Sequence, residues 1–164
     1  MMQKIYDIQS FTLEEQYLLN TIICVDRSVC LVLPPDFVCL ADPELKILGP
    51  TEYDFTKVEL YLYEGQKDEK CIRGIRIYEH LKDINIINRC FGFEDVLEVQ
   101  KKAIGVFQKF VGDKTIFFWK SVVMDRFGYF HVPCIQSDLG WIWIKWRRLD
   151  DYWFNDNPAA CFAS

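Results

Sequence analysis

The spacing of apolar residues predicts three helices. Residues 11–20 and 94–110 repeat apolar side chains every three to four positions, which is typical of helices with one buried face. Acidic residues in the first turn of the second segment would stabilise it through the helix dipole. A further helix is predicted over residues 68–83 with Asp68 as its N-cap. A strand is the competing interpretation there, because Ile72–Ile77 is also rich in β-branched residues.

Short apolar or alternating segments elsewhere predict β-strands. They are Ile22–Val25, Val29–Leu33, Lys57–Tyr63, Thr115–Met124, Tyr129–Gln136 and Trp141–Arg148. Two glycine-ending connectors separate the last three segments, which predicts an antiparallel meander of three strands.

Period-two alternation assigns the faces of the last two meander strands. On the first of them, Phe130, Val132 and Cys134 share one face, predicted to be buried, and Tyr129, His131 and Pro133 share the other. On the second, Ile142, Ile144 and Trp146 share one face. The opposite face mixes indole with charge and is predicted to meet solvent: Trp141, Trp143, Lys145 and Arg147.

Length and composition predict a folded domain. The chain has 164 residues, of which 51% are hydrophobic and 16% aromatic, so an extensively disordered chain is excluded. Prolines and glycines near residue 50 predict a division into an N-terminal elaboration (1–50), packed on a domain formed by 51–164. No signal peptide and no apolar run long enough to span a membrane is visible. The net charge of −5 and the scattered basic residues disfavour nucleic acid as a partner.

The pattern of cysteines and histidines predicts no catalytic site, no metal site and no cofactor-binding site. The seven cysteines are an odd number without a pairing pattern, so we expect reduced, mostly buried thiols and folding in a reducing cytoplasm. His80 and His131 are the only histidines, and His131 lies on the opposite strand face from Cys134. The chain is therefore expected not to be an enzyme.

Four segments near the C-terminus carry a resemblance to a known family. Phe118–Val123, Val132–Cys134, Leu149–Trp153 and Asn157–Ala160 look like segments of the variable proteins of diversity-generating retroelements. The resemblance covers residues 55–164 and is strongest from residue 115 onward. It implies an α+β C-type lectin-like fold with two helices, an antiparallel meander, and a first strand, Lys57–Tyr63, paired with the last, Ala159–Ser164.

The resemblance also implies a function. Such proteins bind ligands, without catalysis, through a surface that adenine-directed mutagenesis rewrites; here the variable region would be about 125–157, and we expect a protein ligand. The expected contact residues are Tyr129, His131, Asp138, Trp141, Trp143, Lys145, Arg147, Asp151, Tyr152, Phe154 and Asn155. Trp141, Trp143 and Lys145 cannot be reached from an asparagine codon, so they arise from other template codons or lie outside the diversified set. A cytoplasmic, virion-associated or surface-displayed location and the oligomeric state stay open.

Other interpretations of the same residues stay open. The exposed rings could instead belong to the core, and Trp141 and Trp143 could form an oligomer interface. Formylglycine-generating oxidases resemble this fold and use two late cysteines, for which Cys134 and Cys161 would be the candidates, although that family is much longer. A small intracellular interaction or immunity-type protein would bind one fixed partner.

Overall fold

The computed structural model describes residues 21–102, 112–138 and 141–164, which form an α+β fold. Its helices are α1 (Gly74–Asp83) and α2 (Phe93–Lys102). Its strands are β1 (Ile22–Cys24), β2 (Phe37–Leu40), β3 (Glu52–Asp54), β4 (Glu59–Tyr61), β5 (Ile72–Arg73), β6 (Thr115–Phe117), β7 (Val123–Asp125), β8 (Phe130–Asp138), β9 (Trp141–Arg148), β10 (Tyr152–Trp153) and β11 (Ala159–Cys161). The helix predicted over 11–20 and the end of the helix predicted over 94–110 lie outside the described residues.

Strand β8 is the centre of the main sheet. β9 pairs with β8 along its whole length on one side, while β7 and β6 pair with successive halves of β8 on the other. β2 extends the sheet beyond β7, and β11 and β4 extend it beyond β6. All of these pairings are antiparallel except that of β6 with β11. The predicted antiparallel meander is thus present as β7, β8 and β9.

The predicted pairing of an early strand with the last strand is also present. β4 runs antiparallel to β11, with Leu60 opposite Ala160 and Tyr61 opposite Ala159. The paired segments are shorter than predicted, since β4 covers Glu59–Tyr61 rather than Lys57–Tyr63. This pairing places the last strand of the chain directly beside β4 in the main sheet.

The sheet separates two hydrophobic clusters. On one face, α2 packs Phe93, Val96 and Val99 against Ile135 of β8. On the other face, α1 packs Ile77 and Leu81 into a cluster built around two fully buried tryptophans, Trp119 and Trp153. The side chains of β11 alternate between the two clusters. Ala160 belongs to the cluster around α2, whereas Ala159 and Cys161 belong to the cluster around Trp119 and Trp153, as expected for a strand that is buried on both faces.

A buried ion pair ties the N-terminal part of the described chain to α2. Arg27 and Asp95 form a salt bridge of 2.9 Å between side chains that are 6% and 0% exposed. Asp95 also accepts hydrogen bonds from the Gly92 backbone N–H and the Tyr53 hydroxyl. A buried pair of this kind is stable only when its remaining polar atoms are satisfied, and here Asp95 is. No helix within the described ranges is long and apolar enough to cross a membrane.

Three predictions about secondary structure are wrong. Val29–Leu33 is not a strand: Val29 and Val32 are exposed, and the strand that joins the sheet is β2, which lies beyond the two prolines. The helix predicted over residues 68–83 is present as α1, but its predicted start is wrong: it begins at Gly74, since Asp68 adopts a positive φ in a turn and Ile72–Arg73 pairs with β10. Thr115–Met124 is divided into β6 and β7 by a 3-10 turn at Trp119–Ser121.

Two predictions about burial are also wrong. Phe130, assigned to the core, is 39% exposed because it lies at the start of β8, beyond the cover of the second cluster. The thiols are not mostly buried, since Cys24, Cys30, Cys39 and Cys71 are exposed and only the other three cysteines are buried. All seven are free.

Candidate functional site

The pairing of β8 with β9 places four predicted contact residues on one face of the sheet. Trp141, Trp143, Lys145 and Arg147 lie opposite Asp138, Gln136, Cys134 and Val132. We call these four residues of β9 the tryptophan face. Trp141 is 67% exposed and Trp143 is 53% exposed, so the predicted orientation toward solvent is confirmed and the alternative that these rings form the core is wrong.

The opposite face of β9 anchors the strand. Ile142 is buried in the cluster around α2, and Ile144 and Trp146 pack against it. The Trp146 ring lies 4.6 Å from the Phe37 ring and 4.9 Å from the Phe93 ring, measured between centroids. The tryptophan face is therefore carried by a strand whose other side is fixed by packing.

Arg147 joins the tryptophan face to the segment that follows β9. Its guanidinium donates hydrogen bonds to the Tyr152 carbonyl oxygen and to Asn157 Oδ1, the latter at 3.2 Å, and lies 3.9 Å from the Asp151 carboxylate. It also lies 4.6 Å above the centroid of the buried Trp153 ring. Arg147 thus covers the edge of the second hydrophobic cluster while its outer side meets solvent.

Residues 151–157, which contain β10 and the turn after it, present further predicted contact residues. Asn157 is buried, and its Oδ1 accepts a hydrogen bond from the Phe154 N–H at 3.1 Å. The buried Gln66 side chain donates to the carbonyl oxygens of Phe154 and Asn157, both at 2.9 Å. These bonds hold the backbone of the turn, while the side chains of Asp151, Tyr152, Phe154 and Asn155 are exposed.

Tyr129 is connected to the same region through arginines. The Arg148 guanidinium lies 3.8 Å from the centroid of the Tyr129 ring, and Arg73 lies 5.7 Å from that of Tyr152. Between them is a depression of about 210 Å³ lined by Arg73, Ile75, Tyr129, Phe130, Leu149 and Asp150. Arg148 donates to Asp150 at 3.0 Å, and this hydrogen bond lowers the pKa of the Asp150 carboxyl. In this region, aromatic rings therefore lie next to both positively and negatively charged side chains.

His131 lies away from the tryptophan face, and Asp138 lies at the end of the hairpin. His131 lies on the other face of β8, opposite Arg148, where its ring packs 5.2 Å from Phe37 and its Nε2 lies 2.9 Å from Asp125 Oδ2. It therefore does not join the tryptophan face. Asp138 pairs with Trp141 through the backbone at the end of the hairpin; its side chain is outside the described part of the structure.

Several residues around this surface were not predicted from the sequence. Phe127 is 72% exposed at the tip of the β7–β8 turn, and an aromatic residue before a turn glycine could have indicated it. Arg73 and Gln66 contribute from far earlier in the chain. No local pattern marks them, because their role depends on the pairing of β5 with β10.

The cysteines and histidines do not form a reactive constellation in the described residues. Burial raises the pKa of the Cys134 thiol to about 11, which leaves it protonated at neutral pH and poorly nucleophilic. Cys161 Sγ lies 3.7 Å from Cys90 Sγ, which the sequence did not suggest as its neighbour. Within the described ranges no three His, Cys, Asp or Glu side chains are grouped so that they could hold a metal ion.

In comparisons with protein-family models, curated proteins and solved structures, none matches this chain. The arrangement of exposed rings and charges on the β8–β9 hairpin and on residues 151–157 therefore carries the functional argument.

Proposed function

We propose that this chain is a non-enzymatic ligand-binding protein, of the kind diversified by a retroelement, and that it binds protein ligands. The binding surface is formed by the tryptophan face together with Asp151, Tyr152 and Phe154. The observation that carries the proposal is the exposure of Trp141 and Trp143 beside Lys145 and Arg147, on a strand anchored from behind.

The amount of exposed aromatic surface supports binding rather than a purely structural role. A Phe, Tyr or Trp side chain buries about 150–250 Å² when it is covered completely. Four rings exposed by about half or more, those of Trp141, Trp143, Tyr152 and Phe154, amount to several hundred Å² of apolar surface that a partner could cover. Trp, Tyr and Arg are also the residues most enriched among the strongest contributors to protein interfaces.

The fold supports the C-type lectin-like assignment at a coarser level. Two helices, an antiparallel meander and a paired early and last strand are the features that the resemblance implies. In this arrangement the last two meander strands pair along their length, and one face of β9 is held by packing. Contact residues on a rigid scaffold lose little conformational entropy on binding, as in antibody paratopes.

The division between buried and exposed residues supports diversification. Val132, Pro133, Cys134 and Trp153, residue types with adenine-free codons, are buried in this region, whereas Trp141 and Trp143, also of an adenine-free codon type, are exposed. Types reachable from asparagine codons, such as Tyr129, Asp151 and Tyr152, are exposed. Mutagenesis directed at adenines would then change the surface and leave the core intact.

The gene's flanking DNA tests this proposal. We expect a near-repeat of codons 125–164 that differs mainly at adenines, with a reverse-transcriptase gene beside it. The positions at which the repeat differs should encode exposed residues such as Asp151 and Tyr152, and codons of buried residues such as Val132 and Trp153 should be identical. If the flanks contain neither a repeat nor a reverse transcriptase, the diversified-binder proposal is wrong and a partner of fixed identity becomes the better explanation.

A further inference from the structure

We propose that two copies of this chain associate through the outer edge of β9, in antiparallel register, with Ile144 opposite Ile144 of the second copy. This inference does not depend on the proposed function. β9 pairs with β8 along one edge, and no strand among the described residues pairs with its other edge. An edge of eight residues whose backbone groups pair with no other described strand is a template for another strand.

The side chains of β9 are complementary to those of a second, antiparallel copy of β9. In the proposed register, Trp143 lies opposite Lys145 of the second copy, and Trp141 lies opposite Arg147 of the second copy. The two-fold axis repeats both pairs, so each of the four indoles faces a cation. Cross-strand neighbours of this kind lie about 4.5–5.5 Å apart at Cβ, close enough for cation–π contacts.

Neighbouring registers are less favourable. Sliding the strands by two residues in one direction places Lys145 opposite Lys145 of the second copy, and like charges directly opposite each other are destabilising. Sliding them by two residues in the other direction places Trp143 opposite Trp143 of the second copy, and no indole then lies opposite Arg147. A slip by one residue would pair side chains from opposite faces of the sheet, which strand geometry forbids.

The surroundings of Arg147 are compatible with this pairing. The inner side of its guanidinium lies 4.6 Å from the Trp153 ring centroid, and the side chain stays 30% exposed. An indole from the second copy could therefore stack on the outer side. On the other face of the sheet, Ile142 would lie opposite Trp146 of the second copy, next to the apolar cluster around α2.

The expected dimer is weak. One pair of eight-residue strands with two rings from each copy forms a small interface, below the size typical of stable complexes. We therefore expect association in the micromolar range. The dimer would unite two tryptophan faces on one continuous sheet, so that a ligand could contact both copies.

Sedimentation velocity of the full chain tests this inference, over a series of micromolar concentrations and with reductant present because four cysteines are exposed. Trp143→Lys places a cation opposite Lys145 of the second copy, whereas Trp143→Glu places an anion there. We expect Trp143→Lys to raise the dimer dissociation constant about tenfold, while Trp143→Glu retains association. The double variant Trp143→Lys/Lys145→Glu should restore it.

Charge sign separates this register from nonspecific contact between rings. If Trp143→Glu and Trp143→Lys weakened association equally, the proposed register would be wrong. A wild-type chain that stays monomeric throughout the series, or a dimer that Trp143→Lys leaves unchanged, would overturn the proposal altogether. Circular dichroism of each variant checks that the fold is kept, which we expect because Trp143 is exposed.

Discussion

Replacing two tryptophans that lie close in the sequence should have very different effects on stability. Trp153 is fully buried, with its ring 5.2 Å from the Phe117 ring and 5.7 Å from the Trp119 ring. Trp153→Ala would remove this packing and leave a cavity, which costs about 3–5 kcal/mol of the free energy of unfolding. Domains of this size are stable by about 5–15 kcal/mol, so this variant would be close to unfolding.

Trp143 provides the contrast. It is 53% exposed, and no ring or cation contact joins it to another side chain in the described part of the chain. We expect Trp143→Ala to change the free energy of unfolding by less than about 1 kcal/mol.

The matched control for Trp153→Ala is Trp153→Phe. This variant keeps an aromatic ring and removes an indole N–H that has no partner among the described residues.

Urea unfolding followed by far-ultraviolet circular dichroism measures both effects. Low protein concentration keeps association from contributing. We expect Trp153→Ala to lower the midpoint strongly, Trp153→Phe to lower it less, and Trp143→Ala to leave it nearly unchanged. If Trp143→Ala cost as much as Trp153→Ala, Trp143 would be a core residue and the assignment of the tryptophan face to the surface would fail.

Three further outcomes are expected from charged residues. Burial lowers the pKa of Lys120 from 10.5 to about 8, so Lys120 binds more protons in the unfolded chain between these values, and its own contribution to stability rises with pH there by at most about 3 kcal/mol. The buried thiols and tyrosines, whose pKa values are raised, contribute in the opposite direction, so the test is the difference between the chains: from pH 8 to pH 10 in urea titrations, Lys120→Met should lose stability relative to wild type. Asp95→Asn leaves Arg27 buried beside an uncharged amide and should cost about 3–5 kcal/mol in the same assay, and a loss below 1 kcal/mol would contradict the pairing. Arg147→Ala removes the hydrogen bond to the Tyr152 carbonyl and should cost about 1–2 kcal/mol, and Arg147→Lys should recover only part because an ammonium lacks the guanidinium's planar array of donors.

Periodicity predicted the parts of the fold in which local pattern and tertiary packing agree. The alternation in Trp141–Arg148 is regular because one face is anchored and the other is exposed, so both faces could be assigned from the sequence. The start of α2 was predicted by its helical spacing and its acidic first turn.

Predictions failed where contacts distant in sequence decide the local structure. The first residue of α1, Gly74, packs so closely against the Trp153 ring that an added Cβ would lie 2.5 Å from a ring carbon. The segment 115–124 turns at Lys120, whose buried ammonium donates to the Leu48 carbonyl oxygen. Neither contact leaves a signal in the neighbouring residues.

The candidate site shows the same limit. Trp141 and Trp143 are exposed on one face of β9, as strand alternation predicts once the buried face is identified. The register between β8 and β9 places His131 on the opposite face of the sheet from the tryptophan face. Register is a property of two strands, and the alternation within each strand does not determine it.

Sequencing codons 115–164 in many independent copies of the gene tests the central claim most directly. The account expects substitutions concentrated at codons of exposed residues, among them Tyr129, Asp151 and Tyr152, with the codons of Val132 and Trp153 unchanged. Identical sequences in all copies, or substitutions spread equally over buried and exposed codons, would contradict a binding surface rewritten by a retroelement.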